Sequence, residues 1–145
     1  MPELDFVNNR LWTHANLNEA THENLDKFLG GISMTCLQHL MFMGKSGYVV
    51  DNNEETLVTD DNIQRLKGIP ILFIHGDENT VYKPDSTMTS YNTLRQAFGS
   101  DDYERVEYPG KGHLDCWMGK ASYEDVYPRA EQHARQIIDA FGSKN

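Results

Sequence analysis

The six residues Ile69-Pro70-Ile71-Leu72-Phe73-Ile74 are apolar without interruption, and that run restricts the fold more than any other stretch of the chain. It is too short for an ordinary helix and far too short to span a bilayer. A strand with one wet face alternates apolar and polar residues, whereas a parallel strand covered on both faces does not. The run therefore predicts a parallel strand over 69–74. Pro70 fits at its beginning, where no ladder donor is lost. A second, half-polar and more edge-like strand is expected over 103–108, Tyr-Glu-Arg-Val-Glu-Tyr. Between them Met88, Tyr91, Leu94 and Phe98 recur at helical spacing, with Ser86 or Thr87 as the cap and Gly99 behind. Pro128 suits the first turn of a last helix, with Ala130, Ala134, Ile137, Ile138 and Phe141 as its apolar face and Gly142 at its end. Strand, helix, strand, helix predicts an α/β fold built on a β-α-β unit with a parallel sheet.

The character changes near residue 68. A helix is expected over 18–29, with Leu17, Ala20, Leu25, Phe28 and Leu29 on one side and Gly30 as the stop. Ser33 caps a second over 34–43, with Met34, Leu37, Leu40 and Met41 at helical spacing and Gly44 at the end. Gly30-Gly31-Ile32 joins the two as an αα-hairpin, a shape suited to a lid. Tyr48-Val49-Val50 and Thr56-Leu57-Val58 flank Asp51-Asn52-Asn53 as a small hairpin. Asp60 or Asp61 caps a short helix reaching Lys67, closed by Gly68. The chain divides into a lid-like helical segment, 1–67, and a β-α-β-α unit, 68–145.

With 39% apolar and 24% charged residues in 145, the composition is that of one globular domain. The formal charge of −9 comes from 22 acidic and 13 basic residues with no basic cluster, which argues against nucleic acid and anionic membranes as partners. No run is long enough for a membrane span. Met1-Pro2-Glu3-Leu4-Asp5 has neither a basic start nor an apolar core, so no secretory signal is expected and a cytoplasmic location follows by default. Cys36 and Cys116, eighty positions apart, form no disulfide framework and read as buried free thiols.

In open α/β sheets ligands sit beyond the carboxyl ends of the strands. The loops that leave those ends carry Gly76-Asp77-Glu78-Asn79 and Pro109-Gly110-Lys111-Gly112-His113-Leu114-Asp115. If the strands are neighbours, the acidic loop faces His113. A carboxylate beside an imidazole fixes its tautomer and stabilises its protonated form, as hydrolytic triads require.

The order Ile-Pro-Ile-Leu-Phe-Ile-His-Gly, an acid-bearing loop, then Gly-Lys-Gly-His-Leu-Asp resembles the last two strand-and-loop units of α/β-hydrolases, in which the triad runs Ser, Asp or Glu, His. Asn16-Leu17-Asn18-Glu19-Ala20-Thr21-His22-Glu23, Pro84-Asp85-Ser86-Thr87 and His113-Leu114-Asp115-Cys116-Trp117-Met118-Gly119 narrow the likeness. From about Trp12 onward the chain is similar to the hydrolase-type region attached to flavin oxidoreductases of the glucose–methanol–choline, cholesterol-oxidase-like group. The resemblance implies a partial α/β-hydrolase fold with His113 in the general-base position. It puts Asn79 in the acid slot, where that group often has asparagine, with Asp77 and Glu78 one and two residues away. Asparagine cannot offset the charge of an imidazolium, a loss on the order of 10⁴ in rate in triad mutants.

Two departures limit the activity that follows. No Gly-x-Ser-x-Gly nucleophile elbow is present, since Gly31-Ile32-Ser33-Met34-Thr35 and Gly44-Lys45-Ser46-Gly47 both fail the pattern. The glycine-rich flavin-binding segment is absent too, so no cofactor is expected. The expected function is that of a C-terminal hydrolase-like fragment, inactive alone, whose substrate in a complete fold is a small or lipid-like ester. The alternatives are a non-catalytic remnant that acts by association, or the end of a larger hydrolase–oxidoreductase polypeptide. Uncovered strands point to self-association, or to a missing N-terminal half as partner. His22 beside Glu19 and Glu23 reads as helix surface rather than metal site, and His113-x-Asp115-Cys116 packs its donors too closely to converge on one ion. Cys116 is a weak candidate nucleophile beside His113. Trp12, Trp117, Phe42 and the methionines read as core or pocket lining.

Overall fold

The computed structural model describes residues 10–28, 33–99 and 101–142. Among the described residues the sheet has two parallel strands, β1 (Ile71–Gly76) and β2 (Tyr103–Tyr108), in register from Ile71↔Tyr103 to Gly76↔Tyr108. The crossover between them contains the helix Asp85–Phe98, and a short helix Asp115–Met118 and the long helix Ser122–Gly142 follow β2. Ahead of the sheet lie a 3-10 turn at His14–Asn16, two single-turn helices (Glu19–His22 and Leu25–Phe28), the helix Met34–Ser46 and the short Asp60–Gln64. In chain order the α-helices among the described residues are α1 Glu19–His22, α2 Leu25–Phe28, α3 Met34–Ser46, α4 Asp60–Gln64, α5 Asp85–Phe98, α6 Asp115–Met118 and α7 Ser122–Gly142. The described residues are thus mixed helix and strand with a small parallel sheet.

Several boundaries differ from the sequence reading. The first expected helix is broken into α1 and α2 at Glu23-Asn24, where the Asn24 N–H donates to Thr21 O (3.1 Å) and its side-chain Nδ2 takes the Ala20 carbonyl (2.8 Å) in place of the helical N–H. Its expected end at Leu29 and Gly30, and the hairpin turn Gly30-Gly31-Ile32, lie outside the described residues. α3 runs through Gly44 and stops at Gly47, whose left-handed φ of 75° lets its N–H close on Met43 O. The small hairpin is reduced to one antiparallel bridge, Val50↔Thr56, held by Asp51 Oδ1, which accepts from the N–H groups of Asn53 and Glu55. Thr59, rather than Asp60 or Asp61, caps α4. α5 begins one residue ahead of Ser86, behind Pro84. Pro128 lies inside α7, which starts six residues earlier at Ser122. The proline leaves the carbonyl of Glu124 without its helical donor, and that residue is exposed to solvent.

Cover of the sheet is incomplete. Ile71 to Ile74 are only half-buried, Ile69 ahead of the strand is 47% exposed, and the strand's buried positions are His75 and Gly76 at its tip. The carboxyl tips of the strands are better packed. One buried cluster joins Trp12, Leu17 and Leu25 to Leu11, Leu114 and Met118; a second joins Tyr108, Cys116 and Val126 to Ile74 and Val106. The segment 114–118 is wedged between them. Trp12 is core as expected, but Trp117, Met34, Met41 and Met88 are exposed. Of the two thiols Cys116 is buried and Cys36 exposed, since α3 buries no residue. No helix among the described residues is long and apolar enough to cross a membrane.

Candidate functional site

The two loops meet because the strands do. Gly76 and Tyr108 are paired, and past them the Asp77 N–H donates to Tyr108 O (3.1 Å) and the Glu78 N–H to Lys111 O (3.1 Å). A Cβ on Gly76 would stand 2.2 Å from the Lys111 carbonyl oxygen, so only glycine lets the two backbones approach this closely. Gly110, at φ 69°, turns the second loop back toward the first.

Of the candidate site residues, Asn79 and His113 touch. Asn79 is buried, and its Oδ1 accepts from the N–H groups of Val81 and Tyr82, each at 3.0 Å. Those two donors settle which end of the amide is oxygen. Its Nδ2 therefore faces His113 Nδ1, at 3.1 Å, and an amide NH2 can only donate. His113 Nδ1 must accept, which places the ring proton on Nε2. The imidazole is half-buried, with the Tyr82 ring tilted against it at 5.5 Å between centroids. Burial, helped by nearby His75, holds the pKa of His113 below its usual value. His75 is buried and its Nε2 donates to Tyr82 O at 3.0 Å.

Asp77 and Glu78 are engaged elsewhere. Asp77 Oδ1 accepts from the Gly110 N–H at 2.7 Å, and Glu78 Oε2 from Thr13 Oγ1 at 3.2 Å. Both brace the loops rather than the imidazole. Cys116 has Lys111, Asp115 and Asp125 as its electrostatic neighbours, and burial pushes its thiol up to about 11. A thiol that stays protonated is a poor nucleophile.

Asp115 organises the site, a role that sequence reasoning missed. It is fully buried, and its Oδ2 accepts from the N–H groups of Thr13 (3.0 Å) and Gly112 (2.8 Å) and from Asn16 Nδ2 (2.8 Å). Asn16 Nδ2 also donates to Gly110 O at 2.6 Å, and the Leu114 N–H to Leu11 O at 2.8 Å. The histidine loop is thereby fastened to a segment about 100 residues earlier in the chain. The only signal in the sequence was an acid two places after the histidine in a glycine-rich turn. Lys111, also buried, pairs with Asp125 at 3.1 Å.

Among the described residues no three His, Cys, Asp or Glu side chains converge as a metal site. Comparison of the chain with protein-family models, curated proteins and solved structures finds no match. The site is therefore read from its own geometry. That geometry offers an imidazole whose Nδ1 faces an amide NH2, at the tips of two parallel strands.

Proposed function

We propose that this chain is the C-terminal strand-and-loop part of an α/β-hydrolase-type fold, most similar to the region associated with cholesterol-oxidase-like flavin oxidoreductases, and that it does not hydrolyse esters by itself. The observation that carries this reading is the contact between Asn79 Nδ2 and His113 Nδ1. A general base acting through Nε2 needs its proton on Nδ1 and an acceptor beside it. Here Nδ1 is the acceptor and Nε2 holds the proton, so the remaining ring nitrogen can only donate. Its lowered pKa works against the imidazolium that acyl transfer would form. The sequence has no Gly-x-Ser-x-Gly to be activated.

A second reading, in which the unit works by association with strands supplied from elsewhere, is favoured by the half-buried faces of Ile71 to Ile74. In such an assembly the tips of the strands would contribute one wall of a cleft for a small or lipid-like ester. The deciding assay follows p-nitrophenyl butyrate hydrolysis by the purified chain and by His113→Ala. The expected result is the same background rate for both. Turnover by the parent chain that disappears in His113→Ala would sink the non-hydrolytic reading.

A further inference from the structure

α3 is apolar on two sides. His39, Phe42 and Met43 are half-buried, and His39 Nε2 donates to Val50 O at 2.8 Å, so this side faces the small bridged hairpin. The opposite side carries Met34, Leu37 and Met41, exposed by 74%, 43% and 66%. Their spacing, three then four residues, is the a–d–a seam of a short coiled coil. The next seam position is Gly44, around whose Cβ position there is open space. A glycine inside an exposed helix costs about 0.5–1 kcal/mol relative to alanine, and nothing among the described residues uses the room.

We infer that this face of α3 binds the same face of a second copy of the chain, antiparallel, about a twofold axis passing near position 39. That axis sets Leu37 against Met41 of the other copy, twice, and sets the long Met34 side chain over the hollow at Gly44 of the other copy, again twice. The stripe is therefore self-complementary in shape, large against small and medium against medium, as an isologous contact requires. Charge selects the same place. The chain carries −9 overall, yet α3, Met-Thr-Cys-Leu-Gln-His-Leu-Met-Phe-Met-Gly-Lys-Ser, has no acidic residue. Two acidic copies meet there with the least repulsion. The helix is about 20 Å long, so the seam alone buries less than the ~800 Å² per partner of a standard interface. The expected dimer is accordingly weak and concentration-dependent.

This surface does not involve the tips of the strands, so its failure leaves the reading of His113 untouched, and the converse holds. Sedimentation equilibrium on the whole chain tests it with Leu37→Lys and Met41→Glu, checked for parent-like helicity by circular dichroism. The parent should dimerise reversibly. Each variant alone should dimerise at least about tenfold more weakly, because a charge is forced into the apolar seam. A mixture of the two should recover dimer, since the axis brings Lys at 37 of one copy against Glu at 41 of the other. A parent that stays monomeric up to about millimolar concentration, a dimer indifferent to both variants, or a mixture that stays monomeric overturns the inference.

Discussion

Asn79→Asp replaces one nitrogen by oxygen and should reverse the direction of the hydrogen bond at His113. The oxygen that accepts from Val81 and Tyr82 is retained, and the new oxygen takes the place of Nδ2, 3.1 Å from His113 Nδ1. A carboxylate cannot donate, so the ring proton must move to Nδ1 and leave the Nε2 lone pair facing the cleft. Two unit charges about 4 Å apart attract by about 4 kcal/mol at an effective dielectric of ~20. Burying the new carboxylate, and the water that reaches the half-exposed ring, reduce this to about 1.5–3 kcal/mol, or roughly one to two pKa units. In the parent, burial and His75 hold His113 below 6.5; in the variant it should titrate above that value. Imidazole nitrogen shifts, followed by long-range proton–nitrogen correlation across pH, read both quantities at once. The parent should show the Nε2–H form and the variant the Nδ1–H form. Unchanged tautomer and unchanged titration in the variant would refute the assignment of the amide, and with it the argument that the parent imidazole is a donor.

Other outcomes follow from the same geometry. In the parent, the unfolded chain takes up the His113 proton before the folded one does, so this group's contribution to stability is present above about pH 6.5 and is lost as pH falls through the lowered folded value; urea midpoints between pH 7.5 and 5 should fall more steeply than those of His113→Gln. Asp115→Ala leaves three N–H donors without their acceptor, at a cost of about 3 kcal/mol, read as a drop in Tm. Gly76→Ala drives a methyl into the Lys111 carbonyl and should cost about 3 kcal/mol or more, with the Asn79–His113 hydrogen bond breaking before the sheet does. With a thiol reagent near pH 8, exposed Cys36 should react rapidly, whereas Cys116, pushed up to about 11, should be slower than an ordinary free thiol by on the order of 100-fold from ionisation alone, before burial adds to it.

The parallel sheet and its crossover were legible because hydrophobic period and turn residues reported them directly, and Tyr103–Tyr108 matches residue for residue. The strand itself starts two residues late and ends two late, since Gly76 pairs with Tyr108 and apolarity says nothing of pairing. Helix starts were less legible: Pro128 signals a first turn by its own chemistry, but exposed carbonyls ahead of it tolerate a proline deeper in the helix. Burial was least legible. The run 69–74 reads as a covered strand, yet its cover depends on elements that sequence periodicity does not count. At the site, the meeting of the two loops followed from the strand order. The direction of the Asn79 amide did not, because it is set by the backbone donors of Val81 and Tyr82 two and three residues on. The role of Asp115 was hidden for a related reason: its partners, Thr13 and Asn16, are about 100 positions away.

That separation sets the order in which the molecule can be finished. When β1 and α5 have left a ribosome, half of the cleft has been made, but the carboxylate that fastens the early segment has not been synthesised. Residues 11–17 must wait for their fastening until Asp115, about 100 positions later, has emerged. Closing so large a loop costs entropy before any contact rewards it. The histidine turn should therefore be the last part of this protein to acquire its native shape and, under mild denaturant, among the first to give it up.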